Sequence, residues 1–142
     1  MINFFFEDID EFDIKKTDIE KNIEKLVINE NRILGDVNYI LCSDNYLLNI
    51  NREYLNHDYF TDVISFDYCE DNVISGDIFI SVDTVSDNAK EYGATFENEL
   101  ERVMIHGVLH FVGYNDKTES DQKNNARQRK PVSFFIQISN AS

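Results

Sequence analysis

The chain has 142 residues, a length that suits one domain around one core. Its 42% hydrophobic and 13% aromatic content, with five glycines and one proline, excludes low-complexity and collagen-like chains. With 27 acidic against 13 basic residues the formal charge is −14, which repels polyanions overall, so RNA binding would need a local basic patch or a partner that supplies one. Cys42 and Cys69 stand alone without CxxC spacing, which supports neither a disulfide framework nor a cysteine zinc site. Reduced thiols in a cytoplasmic protein are expected. The opening run Met1 to Phe6 is apolar over too few residues and lacks a basic leader, so it predicts neither a signal peptide nor a membrane span.

Residues 2 to 6 are β-prone and predict a first strand. From Lys16 to Asn31 the apolar positions Ile19, Ile23, Leu26 and Val27 follow a helical period, predicting a surface helix with one buried stripe. Gly35 and Asp36 break that pattern, and Val37 to Cys42 predicts a strand. Ser43-Asp44 then caps a helix carrying Leu47, Leu48, Ile50, Asn51 and Tyr54. Thr61 to Phe66 and Ile74 to Ser81 predict two strands, close enough to form a hairpin around the acidic loop at Glu70 to Asn72. Val82 to Tyr92 predicts a helix closed by Gly93.

Thr95 is placed to cap the next helix, with Glu97 and Glu99 in its first turn at the positive end of the dipole. Val103 to Val112 is apolar on nearly every side except at two histidines, which predicts a central, buried helix. Thr118 to Asp121 has capping-box spacing and predicts a last helix through Gln122 to Arg129, ended by Pro131. No internal repeat is present. The expected fold is α+β, a single domain over residues 1–142 with a mixed sheet of about four strands packed on helices.

The chemistry concentrates between Glu101 and Asp116. His106 and His110 lie four apart, and four helical residues advance about 400° and rise roughly 6 Å, so both imidazoles leave one face and can share an ion. Gly113 stops the helix and lets the chain return Asp116 toward the same place. Two histidines and one carboxylate leave a fourth position for water, the arrangement of a catalytic zinc and not of a closed structural one. Gly107, between the histidines, costs roughly 1 kcal/mol relative to alanine and implies a close approach to the helix backbone. The competing account is a pair of core histidines hydrogen-bonded to backbone.

With these motifs in view, the chain resembles the YbeY family of bacterial rRNA-maturation endoribonucleases. The resemblance is carried by His106-Gly-Val-Leu-His110-Phe-Val-Gly113-Tyr-Asn-Asp116, Asn51-Arg-Glu-Tyr-Leu55, Thr61-Asp-Val-Ile-Ser-Phe66 and Gly76-Asp-Ile78. It implies a zincin-like metal-binding helix, one Zn2+ per chain on His106, His110 and Asp116, and cleavage of single-stranded RNA. It further implies a role in 16S rRNA maturation and ribosome quality control, with rRNA and the ribosome or its associated proteins as partners.

Three departures accompany the resemblance. Asp116 stands where the family most often has histidine, which lowers the charge of the site by one and makes a bound water less acidic. Leu55 stands where the family commonly has an arginine implicated in catalysis, and Arg52 is not its equivalent. Residues 131–142 form an atypical tail, β-like after the basic run through Arg127, Arg129 and Lys130, where the family usually ends in an acidic amphipathic helix. Lys123 and that run are either a basic patch for RNA or a solvated helix end, and Phe134 to Ile138 would be sticky if unpacked.

Asp62 and Asp77 are candidate partners of the histidine ring nitrogens, or simply strand-end residues. Two other functions compete with the nuclease. A metalloprotease needs Glu directly after the first His, where this chain has Gly107. A non-catalytic ribosome-associated module, braced by zinc, accords with the net charge of −14 and with Leu55.

Overall fold

The structure, a computed structural model, describes residues 1–55, 63–113 and 136–139. In chain order the elements are β1 (Ile2–Glu7), α1 (Lys16–Asn29), β2 (Ile33–Cys42), α2 (Asp44–Leu55), β3 (Val63–Asp67), β4 (Val73–Ser81), α3 (Val82–Tyr92), α4 (Phe96–Phe111) and β5 (Ile136–Ser139). The sheet order is β1-β2-β4-β3-β5. β1, β2 and β4 run parallel, β3 pairs antiparallel with β4, and β5 lies parallel to β3. The sheet is therefore mixed and α+β in class, with one strand beyond the four expected. That strand comes from the tail, whose β-like pattern had no assigned neighbour. The expected last helix from Thr118 to Arg129 lies outside the described residues.

β2 begins at Ile33, four residues before the predicted start, and carries Gly35 and Asp36 through a register shift between Leu34 and Val37. Gly35 continues the strand where a side chain could not. A Cβ there would lie 2.7 Å from Val73 Cγ1 and 3.0 Å from the Ile74 carbonyl, so the residue that looked like a break allows close approach to β4. α1 stops at Asn29, short of Asn31, which sits at φ 60° in the left-handed region and reverses the chain.

The sheet's period of two sorts its side chains onto two faces. Val37, Tyr39 and Leu41 of β2, with Ile74, Ile78 and Ile80 of β4, pack against Ile19, Ile23 and Val27 of α1, Val85 of α3 and the apolar side of α4. On the other face Cys42 and Ile64 pack under Leu47 of α2, with Tyr46, Ile50, Phe66 and Phe79 around them. Ser43 caps α2 as expected, its Oγ accepting from the Tyr46 amide at 3.1 Å. Cys42 is buried there, and burial pushes its thiol up to about 12, with Asp44 and Asp83 adding to the effect. Cys69 is raised to about 12 by burial and by its hydrogen bond with Asp67. Both thiols stay protonated at pH 8, so iodoacetamide should label neither in the native protein and both in urea, as read by mass spectrometry. Fast native labelling at either cysteine would contradict this packing.

α4 is anchored at its start by Thr95, whose Oγ1 accepts from the Asn98 amide at 3.1 Å. One turn further, Glu99 is fully buried and bound in two places by the Arg102 guanidinium, at 3.1 Å from Nε and 2.7 Å from Nη2. Removing the cation from a buried carboxylate costs more than the pair contributes, because the remaining charge is left desolvated. Arg102→Met is expected to lower stability by about 3 kcal/mol in urea unfolding, with partial recovery when Glu99→Gln is added. A change below the error of the extrapolation would show that the pair matters little.

Candidate metal centre

The histidines sit on the second half of α4, and the rest of that helix explains why they are held there. Val103, Met104, Val108 and Phe111 are all 5% exposed or less and fix the helix against the sheet. The Tyr39 hydroxyl, from the centre of β2, donates to the Met104 carbonyl at 2.7 Å, and burial raises its phenol well above the ordinary range. Phe111, the neighbour of His110, lies over Gly76 of β4. A Cβ at Gly76 would fall 2.6 Å from Phe111 Cζ and 2.4 Å from the Phe66 carbonyl. Gly107, between the two histidines, is buried.

The two rings have centroids 5.0 Å apart, with planes inclined by 52°. Two imidazoles on one zinc, each bound at about 2.0 Å with a roughly tetrahedral angle, place their ring centres about 5 Å apart. The observed ring separation is therefore the one a shared ion would require. His110 is buried and His106 is half-buried, so the site has a closed side and an open one. The helix ends just beyond them, with Val112 as its cap and Gly113 at φ 110°, whose amide donates to the His110 carbonyl at 3.1 Å. The negative end of the helix dipole thus lies beside the histidines and favours a cation. Arg32 reaches the same end from the turn after α1, its Nη2 donating to the Val112 carbonyl at 3.4 Å.

Of the three expected ligands, the structure brings His106 and His110 together, while Asp116 lies outside the described residues. Among the described residues no group of three metal-binding side chains forms. Asp62 also lies outside them, as do Lys123, Arg127, Arg129 and Lys130. Of the two readings of Asp77, the structure supports the strand residue. It projects from β4 on the face opposite Gly76 and Ile78, away from α4, and its Oδ1 accepts from Asn38 Nδ2 at 2.9 Å. Asn38 in turn accepts from Asn3, so Asp77 ends a polar row across three strands and is no partner of the histidines. From the Asn51 motif, Asn51 is fully buried while Arg52 is exposed.

Sequence reasoning missed the aromatic chain on the α2 side. Tyr46 stacks on Phe79 at 6.5 Å, Phe79 meets Phe66 edge-on at 5.6 Å, and Phe66 meets the exposed Tyr54 at 5.5 Å. The eight-residue spacing of Tyr46 and Tyr54 was the available signal, two helical turns on one face.

Comparison with known proteins gives the family. The family described as Endoribonuclease YbeY matches residues 5–133. A curated endoribonuclease YbeY from Flavobacterium psychrophilum is 51% identical over 123 residues, 86% of each chain. One from Bacteroides thetaiotaomicron is 47% identical over 111 residues, covering 78% of this chain and 81% of that one. A solution structure of a Thermotoga maritima protein superimposes with a TM-score of 0.57 at 29% identity, covering 94% of this chain and 89% of the other. The match over most of the sequence and the identity to curated relatives leave one conclusion, that this chain belongs to the endoribonuclease YbeY family.

Proposed function

We propose that this protein is a metal-dependent endoribonuclease that cleaves single-stranded RNA, with zinc held by His106, His110 and Asp116. Its substrate in this reading is ribosomal RNA, in 16S maturation and ribosome quality control in the cytoplasm. The observation that carries the proposal is the 5.0 Å separation of the two imidazoles on a packed helix, in a chain whose relatives are named endoribonucleases. When bound, the ion acidifies a water molecule and counters the charge that builds on the scissile phosphate.

The chain's own residues supply position and access. Packing of Val108 and Phe111 holds the backbone on either side of His110, so the ring nitrogens meet a ligand without reorganising the helix. Half-buried His106 leaves an open side through which a polymer can enter, as an endonuclease requires. The carboxylate of Asp116 completes the donor set, and a ligand set of two neutral imidazoles and one carboxylate accepts a divalent ion at neutral pH. Proteolysis is disfavoured because Gly107 occupies the position of the general base in that class.

The reading is tested by metal content. Purified protein dialysed against zinc should retain one equivalent by elemental mass spectrometry. His106→Ala and His110→Ala should retain none, and Asp116→Ala should bind with affinity lowered at least tenfold. Full zinc occupancy in the His106→Ala, His110→Ala double variant would rule out this site.

A further inference from the structure

The edge strand β1 carries a surface that hydrolysis at α4 does not use. The Val37 amide donates to the Met1 carbonyl at 2.9 Å, and Ile2 pairs with Val37 in the register. In a parallel ladder alternate residues address each neighbouring strand. The backbone groups of Asn3, Phe5 and Glu7 therefore face β2, and those of Ile2, Phe4 and Phe6 point away from the sheet.

Edge strands are ordinarily blunted by lysine, proline, a bulge or a covering element. Ile2 to Phe6 contains no charged residue and no proline, and its register with β2 is unbroken from Ile2 to Glu7. In the middle of this edge Phe5 is 48% exposed, next to Ile40 of β2. The strand ends on Glu7, and directly after it come Asp8, Asp10, Glu11 and Asp13, all five carboxylates exposed and none in an ion pair with a described residue. Asp8 accepts a hydrogen bond from the Ser43 hydroxyl at 2.6 Å, which fixes one end of the acidic run against α2.

We propose that β1 is a docking edge for an extended, basic segment of a partner protein, which adds to the sheet beside β1. The outward amides and carbonyls of Phe4 and Phe6 supply the ladder, an apolar side chain of the incoming segment covers Phe5, and its lysines or arginines meet the carboxylates from Glu7 to Asp13. The same charges select the occupant. A second copy of this chain would bring another −14 and a second acidic run to the edge, and a nucleic acid would bring phosphates against five carboxylates. An extended polycationic peptide satisfies both the backbone and the charge.

The test uses the full chain and a fluorescein-labelled twelve-residue peptide of alternating lysine and valine, with an alternating glutamate and valine peptide as control. Amide exchange by NMR locates the contact. In the free protein the Phe5 and Glu7 amides should exchange slowly and those of Phe4 and Phe6 quickly, and the basic peptide should slow Phe4 and Phe6 at least tenfold. Phe5→Lys, which places a guard cation on the edge, should weaken binding at least tenfold by anisotropy. The double variant Asp10→Asn, Glu11→Gln, far from the core, should weaken it at least threefold and checks the result should Phe5→Lys perturb the strand. Peptide bound with Phe4 and Phe6 still exchanging freely, equal affinity across the variants, or equal binding of the acidic control would each overturn the proposal.

Discussion

Gly76→Ala is expected to lower stability by at least about 3 kcal/mol, the upper range for overpacking, because neither obstacle can move cheaply. The added methyl would stand 2.4 Å from the Phe66 carbonyl, which is fixed in the β3–β4 ladder, and 2.6 Å from the ring of Phe111. Relief requires β4 to separate from β3 or α4 to lift from the sheet, and lifting α4 displaces His110, the residue before Phe111. Urea unfolding of the variant measures the cost, and adding Phe111→Leu should restore only part of it, since the carbonyl clash remains. Gly113→Ala provides the contrast. Among the described residues nothing lies within 4 Å of its Cβ position, so the expected cost is that of the positive φ of 110°, on the order of 1 kcal/mol. Equal stability of Gly76→Ala and the native chain would mean that α4 does not sit over β4 as described.

The second large effect concerns metal removal. Chelation should abolish RNA cleavage by at least a hundredfold while the far-ultraviolet circular dichroism keeps its native shape. The reason is that α4 is anchored without the ion. Leu100, Val103, Met104 and Val108 are buried in the main core, Tyr39 holds the Met104 carbonyl, and Thr95 caps the first turn. A braced module in the sense of a zinc finger would lose its fold, since there the binding energy of the metal is the folding energy. Loss of helix signal on chelation would therefore favour the structural role for zinc, and intact structure with lost cleavage the catalytic one. Readdition of zinc should recover the activity.

Period and punctuation made most of the architecture legible. Helix spacing at Ile19, Ile23 and Val27 located α1, Ser43 and Thr95 marked true N-caps, and Gly93 sits in the left-handed C-cap of α3. The errors arose where a residue answered to a neighbour distant in sequence. Gly35 looked like a break because nothing nearby reveals that β4 passes within van der Waals contact of it. For Asp77 both a histidine partner and a plain strand residue stayed open, because a strand's sequence gives alternation without saying which face meets which helix. The fifth strand was missed because pairing of Ile136–Ser139 with β3 is a contact across some seventy positions. Within the site, the His106 and His110 spacing was sufficient to predict that the rings meet, because a helix fixes that geometry locally. The seat of Phe111 on Gly76, which holds those rings in place, had no local signature.

The measurement that tests the account most directly is cleavage of a single-stranded rRNA fragment by zinc-loaded protein, run beside His106→Ala purified identically and matched to it in circular dichroism. The account predicts metal-dependent internal cuts by the native chain and a loss of at least a hundredfold in the variant. Equal cleavage by both proteins, or none by the native chain at full zinc occupancy, would contradict the assignment of a ribonuclease centre to this helix.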